Sequence, residues 1–124
     1  MPMIHPSDAP VFTMHGAVFN ALASPSRGAS RNAVWTVCIE TDAAGVTHQL
    51  SDEETFVCLS GRAVALVGGV EHLVSAGCAL VVPAATAFSL TKVGDEPFRA
   101  VVVLPAGGTA QVGDGEPFVP PWAQ

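Results

Sequence analysis

The chain has 124 residues, near the usual size of one domain, with 49% hydrophobic and 13% charged residues and a formal net charge of −6. Eleven acidic residues against five basic ones leave no basic patch, which argues against nucleic acid and anionic membrane surfaces as partners. No apolar run is long enough to cross a bilayer and no secretory leader opens the chain, so a cytoplasmic protein is expected.

The segment Met1 to Pro10 holds three prolines without periodicity and reads as an arm or loop. Val11 to Leu22 reads as extended and split at Gly16, with a short helix over Val18–Leu22 as the alternative. Ala23 to Asn32 is a polar loop whose Arg27 and Arg31 are placed to guard an entrance. Ala33 to Glu40, rich in Val, Ile and Trp, predicts a strand. After a turn, Val46 to Leu50 is short and extended.

An acidic corner, Ser51 to Glu54, then leads into the apolar run Thr55 to Leu59. Further strands are expected over Arg62–Val67, Val70–Val74, Cys78–Val82, Thr86–Thr91 and Phe98–Leu104, with Gly68-Gly69 as a hairpin turn. The tail from Pro105 to Gln124 is dominated by Gly, Pro and polar residues, and its Pro120-Pro121-Trp122 end suggests an extended strap pinned by the indole. The expected organisation is an arm and loop over 1–32, a β core over 33–104 and a packed tail over 105–124.

Many short strands, turn-forming Gly, Pro and Asp, and no convincing long helix argue for an all-β sandwich or barrel. Cys38, Cys58 and Cys78 each sit in an apolar run. An odd count without a CxxC argues against a disulfide framework or a zinc site and predicts three buried, reduced thiols. Strands apolar on both faces, with Val57 and Leu59 opposite Phe56 and Cys58, predict a homodimer. The arm and the Trp122 tail are the segments placed to cross onto a neighbour.

Chemistry concentrates at one corner. His48 and Glu54 come within reach of each other, and such a pair can bind a metal or move a proton. Alternation puts Glu54, Phe56 and Cys58 on one face, while Gln49 is aimed away from His48 and His72 reads as exposed. A simpler reading pairs the Glu54 carboxylate with His48 or Arg62.

Gly45 to Gly61 resembles the first motif of the cupin family, a His-x-His, a Glu and a Gly, with His48, Leu50, Glu54 and Gly61 at those positions. Gly77 to Phe88 resembles the second motif. There Gly77 and Pro83 match, Ala85 stands where a glycine is expected, and Phe88 stands where a histidine is expected. The resemblance covers about Val34 to Leu104 and implies a double-stranded β-helix, a jelly-roll barrel. It also implies a metal site, of which only His48 and Glu54 remain as ligands.

Two ligands hold an ion weakly, so no cofactor is expected; a divalent metal completed by further ligands is the alternative. Leu50 and Phe88, with Trp35 and Phe56, would turn the site into an apolar pocket oriented by His48, Glu54 and Thr86. The expected function is binding of a small, largely apolar molecule in the barrel. The alternatives are a metal-dependent dioxygenase, isomerase or cyclase, and an acid–base catalyst using His48 and Glu54.

Overall fold

A computed structural model describes residues 3–124. In chain order its strands are β1 (Val11–Met14), β2 (Ala17–Ala23), β3 (Asn32–Ile39), β4 (Gln49–Leu50), β5 (Glu54–Ser60), β6 (Arg62–Val67), β7 (Val70–Ser75), β8 (Ala79–Val82), β9 (Phe88–Val93), β10 (Phe98–Pro105) and β11 (Ala110–Gln111). Three short 3₁₀ turns complete the set, and none of the described residues forms a helix long and apolar enough to cross a membrane.

One antiparallel sheet has the order β1-β2-β3-β10-β5-β8. Facing it, β7-β6-β9 and the pair β11-β4 are joined where His48 and Phe88 bridge, each amide bonding the other's carbonyl at 3.0 and 2.8 Å. The result is an all-β barrel, as strand periodicity implied, and of the jelly-roll type that the motif resemblance implied.

The core follows from alternation. Along β10 and β5 every second side chain is buried, and register aligns Trp35, Val102, Phe56 and Leu80 in one inward row across four strands. Burial of β-branched and aromatic side chains on one pleated face, roughly 1.5–3 kcal/mol for each large one, holds the sheets together.

Glycines are required where backbones meet. A Cβ at Gly61 would lie 2.2 Å from the Pro97 carbonyl oxygen, and one at Gly45 would lie 2.0 Å from that of Leu90. Any side chain at either position would push neighbouring strands apart.

Several expectations change. Val18–Leu22 lies within β2 and is not helical, and β1 and β2 extend the larger sheet N-terminal to residue 33. Cys58 alone of the three thiols is buried; Cys38 is half-buried and Cys78 is exposed because the chain turns just before β8. The tail adds β11, which pairs with β4, and it packs on its own barrel. Of the expected N-terminal arm, residues 1 and 2 lie outside the described residues, and Pro6–Asp8 forms a 3₁₀ turn.

Candidate functional site

A partly open cavity of about 140 Å³ lies between the sheets. Trp35, His48, Leu50, Glu54, Phe56 and Phe88 all line it. β5 delivers Glu54 and Phe56 from its inward face, and the bridge between His48 and Phe88 brings the two sequence motifs edge to edge. The His48 and Phe88 rings sit 4.4 Å apart, and Phe56 meets Phe88 edge-on at 5.9 Å. Leu50 and Phe88 are almost wholly buried, at 3% and 1% exposure, so they fill the positions where the motifs expect ligands.

Glu54 is the unusual member. Its side chain is 4% exposed, and its Oε1 has no hydrogen-bond partner among the described residues. The expected pairing with His48 or Arg62 is not made: no hydrogen bond or ion pair joins them, and Arg62 is exposed on β6. Burial pushes the Glu54 carboxyl up to about 8, so at neutral pH it is a protonated hydrogen-bond donor.

His48 is held differently. Its Nδ1 lies 2.8 Å from the Val46 carbonyl. A carbonyl can only accept, so Nδ1 carries the proton and Nε2 is left as an acceptor. Burial lowers the His48 pKa, the Val46 bond pulls the other way, and the nearby His15 lowers it further.

The wall beside His48 is a loop pinned from outside. The Gly45 amide donates to Thr91 Oγ1 at 3.0 Å, and buried Lys92 reaches Asp42 at 2.7 Å while also donating to the Gly94 carbonyl. Other expected neighbours lie elsewhere. Thr86 donates to the Ala84 carbonyl and does not line the cavity, and neither do Arg27 and Arg31. Gln49, expected to point away from His48, bonds Gln111, and His72 is exposed on β7 as its strand position implied.

Among the lining residues that the sequence did not single out as site residues are His15 and Trp122. His15 reaches the mouth because the β1–β2 turn folds over it, with φ of 52° at His15 and 78° at Gly16. Trp122 enters from the tail and stacks on Phe19 at 3.6 Å and 3°. A His-Gly pair between two extended runs is the local signal for the first; nothing local signals the second.

A metal does not fit this residue set. Among the described residues no three His, Cys, Asp or Glu side chains cluster as a metal-binding group, and His15 does not complete one with His48 and Glu54. Two donors with apolar neighbours make a poor ion site and a good one for an apolar molecule with a polar handle.

The Cupin domain family model matches residues 35–104. Among solved structures, the polyketide cyclase RemF from Streptomyces resistomycificus is similar with a TM-score of 0.77 at 17% identity, over 87% of this chain and 81% of that one. An RmlC-like cupin from Shewanella frigidimarina gives 0.73 at 12% identity, over 86% and 92%. Oxalate decarboxylase from Lactobacillus farciminis gives 0.74 at 18% identity over 82% of this chain, but only 32% of that longer one. At these identities the likeness shows the fold alone. No curated protein matches the sequence.

Proposed function

We propose that this chain, which belongs to the cupin family, binds a small, uncharged, largely apolar molecule in its barrel without a tightly held metal. One observation carries the reading: a buried carboxyl with an unpartnered oxygen sits in a cavity walled largely by apolar side chains, Trp35, Leu50, Phe56 and Phe88 among them. An unpaired buried polar atom costs about 1–3 kcal/mol, and a ligand that bonds to it recovers part of that cost. The volume of about 140 Å³ is close to that of apolar protein cavities that hold a single benzene ring. A ring-sized molecule with one hydrogen-bonding group suits both facts. Three free thiols support a reducing compartment such as the cytoplasm.

A second reading, acid–base catalysis by His48 and Glu54, is favoured by the complementary proton positions: a free acceptor at His48 Nε2 and a protonated carboxyl at Glu54. A metal-dependent dioxygenase, isomerase or cyclase reaction would need ligands beyond these two.

Trp35 and Trp122 both line the cavity, so their fluorescence reports on occupancy. Titration with phenol should give a saturable change, while benzoate, similar in size but charged, should give none at the same concentrations. Saturable binding of benzoate, or silence with phenol, would contradict the reading.

A further inference from the structure

The sequence offers Trp122 as a packing residue, and its contacts explain most of its surface. It is 7% exposed, stacks face to face on Phe19, and meets Trp35 edge-on with ring centroids 6.4 Å apart. Phe12 packs against it with ring centroids 6.5 Å apart. Its 3₁₀ turn, Pro121–Ala123, is fixed by the Ala123 amide on the Pro120 carbonyl at 2.8 Å. The following residue is anchored too: Ser26 Oγ donates to the Gln124 main-chain oxygen at 2.6 Å. These contacts clamp the indole in one orientation.

Packing leaves one atom unexplained. The indole Nε1–H is buried and has no acceptor among the described residues. Its three aromatic neighbours offer none, and a phenylalanine would make the same stack without burying a donor. Orphaned buried N–H groups are rare in folded proteins, so each one calls for a partner. Trp122 lines the same cavity as Glu54, whose Oε1 is also without a partner. Two residues that each carry an unpartnered buried polar atom, Glu54 in mid-chain and Trp122 near the C-terminus, thus line one largely apolar cavity.

We infer that the Trp122 indole N–H is a ligand-reading donor, so the bound molecule carries a hydrogen-bond acceptor such as a carbonyl oxygen. The inference rests on the cavity being a binding site for a ring-sized apolar molecule, and it narrows that class to rings bearing an acceptor. The C-terminal tail then contributes to specificity as well as closing the barrel. A ligand lacking the acceptor still fills the cavity but leaves the N–H unpaired, which is how buried donors discriminate between molecules of one shape.

The test compares acetophenone with ethylbenzene, two rings of similar shape of which only the first has a carbonyl. The full chain labelled with ¹⁵N has two indole N–H resonances, assigned through Trp35→Phe and Trp122→Phe. Saturating acetophenone is expected to move the Trp122 indole proton downfield well beyond any shift caused by ethylbenzene. Trp122→Phe should weaken acetophenone about fivefold, the loss of one neutral hydrogen bond, while leaving ethylbenzene within about twofold.

If both probes perturb Trp35 but the Trp122 N–H responds to neither, or if Trp122→Phe binds acetophenone as tightly as the parent, the inference is overturned and the apolar-binding reading stands. If neither probe perturbs any cavity resonance at millimolar concentration, the binding reading itself fails and takes the inference with it. The shift in the parent protein answers the question even if the variant folds poorly.

Discussion

Burial of Glu54 makes stability depend on pH. Its carboxyl moves from an ordinary 4.5 to about 8 because burial penalises the charged form. The folded state therefore holds a proton that the unfolded state releases between those values. The associated stability is fully present below pH 4.5 and is lost as pH rises through about 8, for a total of roughly 4–5 kcal/mol. Glu54→Gln, neutral at every pH, should remove this slope and be the more stable protein at pH 9 in urea unfolding. Equal pH slopes for the two proteins would mean that the carboxyl is solvated. His48 acts at the other end: its lowered pKa makes the folded state resist protonation, so stability falls as pH drops below 6.5.

Beside these two groups, Leu50 and Phe88 hold the positions of the missing ligands. Leu50→His with Phe88→His should bind zinc or nickel much more tightly than the parent in calorimetric titration, because ligand number dominates affinity. Without metal the pair should cost about 3–5 kcal/mol, since buried apolar groups are exchanged for polar ones. No gain in metal affinity would show that these side chains do not converge with His48 and Glu54.

At the level of elements, the turn between β8 and β9 carries a local conflict. Ala85 stands where the second motif expects glycine, yet the backbone keeps the glycine conformation, with φ of 55° and its amide bonded to the Leu50 carbonyl at 2.8 Å. A left-handed alanine costs roughly 1–2 kcal/mol, partly offset by the freer unfolded chain of glycine. Ala85→Gly should therefore stabilise by about 0.5–1 kcal/mol in denaturant unfolding; destabilisation would show that the turn is unstrained.

The same turn shows what was legible. Strands such as β3, β5, β6 and β10 announce themselves by alternation and β-branched content, because each buries one face against a continuous partner. His48, Glu54 and Phe88 were legible as a group because motif spacing fixes their register. β11 was not, since two residues, Ala110 and Gln111, are strand only through pairing with β4. Trp122 reaches the cavity through packing between distant parts of the chain, which leaves no local pattern, whereas His15 is marked only by the His-Gly turn between β1 and β2. Cys78 misled because its apolar neighbours belong to an outward-facing strand end.

On the scale of the whole molecule, the outer face of the larger sheet exposes apolar side chains. Across four strands it presents Val34, Val103, Thr55 and Val81 in one row and Thr36, Val101, Val57 and Ala79 in the next. Val57 and Val81 are 38% and 51% exposed, and these rows carry no charge. We propose that a second copy of the chain covers this face, because an uncharged flat surface matches itself about a two-fold axis. Light scattering should then show a dimer for the parent and a monomer for Val57→Lys; a monomeric parent at micromolar concentration would reject the proposal.

We propose that the barrel holds an uncharged organic molecule in place of the metal ion that the motif resemblance implies. Metal analysis and small-molecule mass spectrometry on protein purified without a metal-affinity tag test it most directly. The account predicts divalent metal far below one ion per chain and a co-purifying ring-sized compound released on denaturation. One tightly held divalent ion per chain, surviving dialysis against chelator, would contradict it.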